Sequence, residues 1–174
     1  MKHRWMTTVA LTLSFWSFIT QCRADTPVDS CVFPAGLGEQ LSKKYPGTAL
    51  LTLADLVEDD RKFYQKDHGN DCPGLAHVDF YGDGMTTLAA SSDPKRSVRL
   101  VVAHQTASGW ELRLLETTNG KAVVWRQDAG TYRDIYGRRS IRALHPVVVL
   151  CSYEASTIVY SWTGSKVDKV WLAD

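Results

Sequence analysis

The sequence has almost no excess of charge, no internal repeat and no low-complexity segment. Its 20 basic and 19 acidic side chains give a formal net charge of +1, which is too near neutral to direct the chain onto nucleic acid or an anionic membrane. No self-similarity occurs at the period of about 20–50 residues that solenoids and propellers use. These absences argue against a repeat array, and we expect no nucleic-acid partner.

The sequence also lacks the motifs on which common enzyme mechanisms depend. There is no G-x-S-x-G, no H-E-x-x-H and no glycine-rich phosphate loop. None of the four histidines beyond residue 24 stands four residues from another histidine or an acid, the spacing of helical metal ligands. The S-x-x-K match at 92–95 lies beside a proline in a polar break, where we expect a turn. These absences favour a non-enzymatic protein.

Residues 1–24 are predicted to be a signal peptide. A basic start precedes the uncharged run Met6–Ile19, whose 14 residues are too few to span a bilayer. Small residues then suit cleavage after Ala24, so we expect a periplasmic or secreted protein with no transmembrane segment. The alternative is a lipoprotein anchored at Cys22.

Cleavage would leave 150 residues, the size of one domain with one core. It removes three basic side chains and no acid, so 17 basic and 19 acidic side chains remain and the net charge becomes −2. Three cysteines stay, and an oxidising compartment predicts one disulfide and one free thiol. Cys31 and Cys72 both lie beside turn-forming residues, so we favour their pairing, although the sequence alone leaves it open. Cys151 follows an apolar run and is expected to be buried.

The mature segment 25–174 is predicted to be a single α+β domain, with one or two short helices before an antiparallel meander or small sandwich. Within residues 34–45, Leu37 and Leu41 stand four apart and a proline follows, which indicates a short helix.

A second helix is predicted from Leu56 to about His68. Asp55 and Glu58 have the spacing of a capping box at its start. In this register Leu56, Phe63 and Tyr64 would face the core.

After Cys72 the apolar period changes to two, which indicates strands. The run from Val98 to Val102 continues to His104, which is therefore expected on the core face or at its edge. Short strands joined by turns, with no helix between them, predict an antiparallel sheet. The last four predicted strands are 139–143, 146–153, 156–162 and 166–172. The tryptophans expected in the core are Trp110, Trp125, Trp162 and Trp171.

One loop, at residues 79–84, has the composition of a cation site. Asp79 and Asp83 occupy the first and fifth positions of a calcium loop, and glycines allow the sharp turn. Tyr81 and Thr87 stand at the third and ninth positions, where a full site carries Asp or Asn. A glycine-rich turn whose aspartates bond their own backbone is the alternative. We expect no cofactor, and calcium at Asp79 and Asp83 is the candidate if one binds.

The segment His77–Gly84, followed by Leu88 and Ala89, resembles the core of FG-GAP (VCBS-type) repeats. The wider pattern, from Tyr45-Pro46-Gly47 to the end of the chain, is similar to that of a group of small exported bacterial proteins. The resemblance implies repeated blades, calcium at the aspartate–glycine loop, and extracellular adhesion or ligand binding.

Acidic residues open a second class of function, a small cell-envelope or extracellular hydrolase. Glycan hydrolysis needs two carboxyl groups facing one cleft at a set separation. The candidates are Asp55, Asp59, Asp79 and Asp83. The simpler interpretation of the acids near residue 59 is a solvated first helical turn that complements the helix dipole.

Arginine and tyrosine are concentrated between residues 132 and 142, the composition of protein recognition surfaces. A solvated hairpin is the plainer interpretation. The candidate partner-binding residues are Tyr132, Arg133, Tyr136, Arg138 and Arg139. We therefore predict an exported, non-enzymatic binding protein, an inhibitor or immunity-type partner of another protein, with the hydrolase as the alternative.

Overall fold

The computed structural model describes residues 31–92, 97–153 and 155–172. The predicted signal peptide, its predicted cleavage site and Cys22 lie outside the described residues, as does most of the S-x-x-K match. The described chain is α+β with antiparallel sheets, as predicted. Its elements are α1 (Leu37–Lys44), a 3-10 helix (Leu53–Asp55), α2 (Glu58–His68), β1 (Leu75–Val78), β2 (Thr87–Ser92), β3 (Ser97–Thr106), β4 (Gly109–Asn119), β5 (Val123–Gln127), β6 (Gly130–Arg133), β7 (Ser140–Ala143), β8 (Val147–Ser152), β9 (Ser156–Trp162) and β10 (Val167–Leu172).

The strands form two four-stranded sheets and one hairpin. The first sheet is a meander in the order β1-β2-β3-β4, and the second has the order β10-β9-β8-β5. The hairpin pairs β6 with β7. Gly120, in the left-handed region with φ 84°, turns the chain after β4 and takes it into the second sheet, where β5 pairs with β8.

The main core lies between the two sheets. Val98, Leu100 and Val102 of β3 face it, together with Val148 and Leu150 of β8, and all five are buried. These alternate positions are the ones that the period-two pattern predicts. His104 continues the same face at the end of β3, as expected, and is partly buried.

Each sheet is also covered on its outer face. The buried side chains of Leu37 and Leu41 hold α1 against the outer face of the first sheet, which confirms the predicted helix. The hairpin covers the second sheet, where Ile141 and Ala143 pack with Val149. Central strands with two buried faces read as continuous apolar runs.

The second helix is shorter than predicted and faces the core differently. Leu56 and Tyr64 are buried as expected, but Phe63 is 62% exposed and its prediction as a core residue is wrong. Successive helical residues point about 100° apart, so burying Tyr64 turns Phe63 to solvent. Its ring lies near that of Tyr153, at 6.4 Å between centroids.

The predicted capping box of Asp55 and Glu58 is also wrong. The Asp55 carboxylate accepts hydrogen bonds from the Thr52 backbone N–H at 2.8 Å and the Thr52 hydroxyl at 2.7 Å, and so caps the 3-10 helix instead. Both hydrogen bonds lower the pKa of Asp55, and the bond from the Thr52 hydroxyl has the larger effect. The helix α2 begins at Glu58, after Val57. Thr52 and Glu58 both lie three positions from Asp55, and the hydrogen bonds form with Thr52.

Cys31 and Cys72 lie at disulfide distance, with their sulfur atoms 2.04 Å apart, as favoured from the sequence. Cys151 is buried, and the Thr157 hydroxyl donates to its sulfur at 3.3 Å. Neither helix of the described chain is long and apolar enough to cross a membrane.

We expect the double substitution Cys31→Ala and Cys72→Ala to lower the free energy of unfolding by about 2–4 kcal/mol, because a bond across 41 positions of the chain constrains the unfolded state. Urea denaturation followed by tryptophan fluorescence measures the change. The control Cys151→Ala should keep the Cys31–Cys72 link in a non-reducing peptide map. A linked peptide that contains Cys151 in the unsubstituted protein would contradict this pairing.

Candidate functional site

The loop at residues 79–84, between β1 and β2, is closed by its own aspartates. Asp79 Oδ1 accepts a hydrogen bond from the Gly84 N–H at 3.3 Å, and Asp83 Oδ1 accepts one from the Met85 N–H at 3.0 Å. These are the bonds of an aspartate turn. Within the described residues, no group of three or more His, Cys, Asp or Glu is placed to hold a metal. Calcium binding by Asp79 and Asp83 stays a prediction.

The second carboxylate oxygen of Asp83 faces His104. His104 Nε2 lies 3.1 Å from Asp83 Oδ2, and Nδ1 lies 3.0 Å from the Thr87 hydroxyl. Acid, histidine and hydroxyl are the residue types of a nucleophilic triad. However, Thr87 is only 1% exposed, so a substrate has no access to its hydroxyl. The chain of contacts fastens the loop to β2 and β3.

Aromatic contacts fasten the loop from its other side. The Tyr81 ring lies 4.6 Å from that of His104 and 5.1 Å from that of Trp162, both edge to face. Gly82 has φ 72°, and the His145 ring lies directly against its Cα, so that a methyl group there would overlap the ring. The loop therefore packs against both sheets.

The two glycines of this loop give a matched comparison. Gly82 and Gly84 have nearly the same φ, 72° and 74°, but open space surrounds the position of a methyl group at Gly84. We expect Gly84→Ala to destabilise by about 1 kcal/mol through backbone strain alone. Gly82→Ala should cost about 1–3 kcal/mol more, because it also overpacks against His145. Thermal unfolding of both variants tests this, and equal losses would contradict the contact.

The four candidate hydrolase carboxylates lie in three parts of the described chain, and only Asp79 and Asp83 share a loop. Asp55 is engaged by Thr52, and Asp59 lies in the first turn of α2, as the plainer interpretation predicts. Asp79 lines a shallow cleft of about 310 Å³ beside β1, and the other three do not line it.

The candidate partner-binding residues surround the turn between β6 and β7. Arg133, Tyr136, Arg138 and Arg139 are exposed there, and the Arg138 guanidinium lies over the Tyr136 ring at 5.6 Å. Tyr132 differs from the others, because it packs partly against the core and its hydroxyl donates to the Asp128 carbonyl. Burial, followed by the charge of Asp128, raises the pKa of Tyr132.

This turn lies along the free edge of β10. The Ile135 N–H donates to the Trp171 carbonyl at 2.8 Å, which places the backbone of the turn beside that of Trp171, whose ring centroid lies 5.9 Å from Lys169 Nζ. The prediction that Trp171 belongs to the core is wrong, since it is 47% exposed. We call this region the β10 edge surface, and its residues are Arg133, Ile135, Tyr136, Arg138 and Trp171.

Trp171 was assigned to the core because it lies on a strand with other apolar residues, as the other three tryptophans do. Trp110, Trp125 and Trp162 are half-buried and pack against core clusters as predicted. The sequence does contain a signal that this strand is an edge strand, namely the charged residues Asp168 and Lys169 within it.

A polar network that the sequence did not predict joins the two sheets, between β4 of the first and β9 and β10 of the second. Glu116 of β4 accepts hydrogen bonds from the Tyr160 hydroxyl at 3.0 Å and from Lys169 Nζ at 2.5 Å. Burial raises the pKa of Glu116, but the hydrogen bonds from Lys169 and Tyr160 outweigh it, and the pKa is lowered. Burial first, and then the Glu116 charge, raises the pKa of Tyr160.

The lowered pKa predicts a pH-dependent contribution of Glu116 to stability. Because the folded-state pKa lies below the ordinary 4.5, the contribution is complete above pH 4.5 and is lost as the pH falls through the folded-state value. At pH 7 we expect Glu116→Gln to lower the unfolding free energy by about 1 kcal/mol. At pH 3 the difference from the unsubstituted protein should shrink.

Urea denaturation at both pH values measures this difference. Glu111→Gln is the control, because Glu111 is an exposed acid of the same strand. A Glu116→Gln effect of the same size at pH 3 and pH 7 would contradict the role of the charge.

The chain was compared with protein-family models, curated proteins and solved structures, and no match was found in any of the three. The likeness of the loop to FG-GAP repeats therefore stays a prediction, and the functional argument depends on the geometry above.

Proposed function

We propose that this chain is an exported, non-enzymatic binding protein that recognises another protein through the β10 edge surface. The observation that carries the proposal is the exposure of large aromatic side chains among arginines at this edge. Tyr136 is 74% and Trp171 47% exposed, and tyrosine, tryptophan and arginine are the residues that dominate binding energy in protein interfaces.

The charge of the β10 edge surface indicates what kind of protein it would bind. Within the described chain, no carboxylate lies at ion-pair distance from the guanidinium of Arg133 or Arg138, whereas nearby Arg139 pairs with Asp168 at 3.3 Å. Unpaired arginines beside apolar rings are complementary to a surface that carries both carboxylates and apolar groups. The expected partner is therefore an acidic protein.

Hydrogen bonds hold the turn in one conformation. The Asp134 carboxylate accepts from the Arg138 N–H at 2.8 Å, and backbone bonds join Asp134 to Arg139 and Gly137. The Ile135–Trp171 bond ties the turn to β10. A preorganised surface loses less conformational entropy on binding, which supports a recognition role over that of a loose connection.

The compartment supports the same proposal. The predicted signal peptide and the cysteine pair at disulfide distance are both compatible with a periplasmic or secreted protein. In that setting, a small chain with a rigid basic-aromatic edge suits an inhibitor or an immunity-type partner of another exported protein.

Site-specific photo-crosslinking tests the proposal in the native compartment. A photoreactive residue in place of Tyr136 should yield a discrete crosslinked species, which mass spectrometry identifies. The same residue in place of Phe63, an equally accessible aromatic on α2, is the control. A partner crosslinked from position 63 and absent from position 136 would contradict the proposed surface.

The identified partner then allows a quantitative test. We expect Tyr136→Ala combined with Arg138→Glu to weaken binding by at least about tenfold, and added salt to weaken it further. Lys43→Glu, on α1 over the other sheet, makes the same charge change and should have little effect. Calorimetry measures the affinity of the unsubstituted protein and of both variants. Equal losses of affinity in the two variants would mean that only the net charge matters.

A further inference from the structure

The two sides of the sandwich are joined differently. On the β1 and β5 side the sheets are joined through the backbone, where the Val124 N–H donates to the Pro73 carbonyl at 2.8 Å. On the opposite side, between β4 and β10, lies a cleft of about 460 Å³. Its lining residues are Arg113, Leu114, Leu115, Tyr160, Lys166 and Lys169, with Ser165 and Val167.

A β-bulge turns the polar residues of β4 into this opening. The register with β3 shifts between Leu100 and Val101, so that Arg113 pairs with Val102 and Glu116 pairs with Leu100. Leu100 and Val102 both face the inter-sheet core, and residues directly opposite in a sheet share a face. Arg113 and Glu116, three apart, therefore point to the same side, as a bulge allows.

The cleft is lined by cations from both sheets and by no acid. Lys169 is neutralised by Glu116 at 2.5 Å, and Lys166 lies 3.3 Å from Asp168. Asp168 also pairs with Arg139, so one carboxylate serves two cations. Arg113 has no carboxylate at ion-pair distance among the described residues, and its guanidinium lies over the Trp162 ring at 5.3 Å.

Below these charges the floor is apolar and fixed. Tyr160 is buried, and Leu115 and Val167 pack against the inter-sheet core. The Glu116 carboxylate accepts hydrogen bonds from Tyr160 and Lys169. These bonds fix the two side chains in the absence of a ligand. A concave apolar floor with a few convergent polar groups is typical of a small-molecule site.

We propose that this cleft binds a small organic anion, in which an oxyanion group is carried on a compact apolar body. The guanidinium of Arg113 and the ammonium of Lys166 receive the oxyanion, and Leu115 and Val167 contact the body. Arginine presents a planar fork of donors that suits both carboxylate and phosphate. The site does not depend on the proposed protein partner.

An NMR titration of the purified mature protein tests the site with four probes. Benzoate and phenyl phosphate carry the two oxyanions on the same ring, benzyl alcohol is the neutral analogue, and inorganic phosphate lacks the apolar body. We expect saturable amide shifts in 113–116 and 166–169 with benzoate, phenyl phosphate or both, and none with benzyl alcohol. The probe that binds more tightly, benzoate or phenyl phosphate, shows whether the site prefers a carboxylate or a phosphate. Equal shifts with the neutral probe or with inorganic phosphate would overturn the proposal.

Substitutions locate the binding on the molecule. Arg113→Gln should weaken the binding of the better probe at least tenfold, and Lys166→Gln, at an exposed position outside the core, should weaken it severalfold. Lys43→Gln on α1 is the control and should have no effect, as should Tyr136→Ala in the β10 edge surface. Retained affinity in Arg113→Gln and Lys166→Gln, with both variants folded by circular dichroism, would overturn the assignment.

Discussion

The packing of the two sheets against each other is the constraint on which the rest of the structure depends. In the central strands, Val102 and Val148 face the inter-sheet core, while their neighbours Val101 and Val149 face outward and are buried as well. Because apolar side chains occupy both faces of each sheet, each outer face requires its own cover. The helix α1 supplies one cover and the β6–β7 hairpin the other. The position of the exposed hairpin turn follows from this requirement.

The two sides of the sandwich are joined by side chains of different chemistry. Near β5, Tyr64 of α2 and Leu56, from the segment just before α2, belong to a further apolar cluster. Where β4 meets β10, the contact is made by Glu116, Tyr160 and Lys169. The polar seam between β4 and β10 leaves charged groups near solvent, and the proposed anion site lies beside them.

The local parts of this arrangement could be predicted from the sequence. The spacing of Leu37 and Leu41 predicted α1, the alternation through β3 predicted the core face, and the last four strands were located within one residue of their observed bounds. Phe63 and Asp55 were assigned wrongly, because helix periodicity does not fix which stripe is buried, nor which of two nearby caps an aspartate completes.

The candidate site was only partly predictable, for a different reason. The exposed arginines and Tyr136 are contiguous in the sequence, so composition alone indicated them. Trp171 and Glu116 depend on which strands become edges and on where a bulge falls, and both are set by pairings between distant residues. A period-two pattern assigns side chains to alternate faces, but it does not distinguish an edge strand from a central one.

The polar seam fits the proposed anion site. Removing charges from water carries a desolvation cost that a partly buried ion pair offsets only in part, and apolar residues of similar volume often stabilise as well or better. Leu100 and Ile158, which belong to the inter-sheet core, are apolar. Glu116 instead fixes Lys169 at the rim and leaves Arg113 without a carboxylate partner in the described chain. The seam thus keeps positive charge in a defined position at the opening of the sandwich, which is the arrangement that an anionic ligand requires.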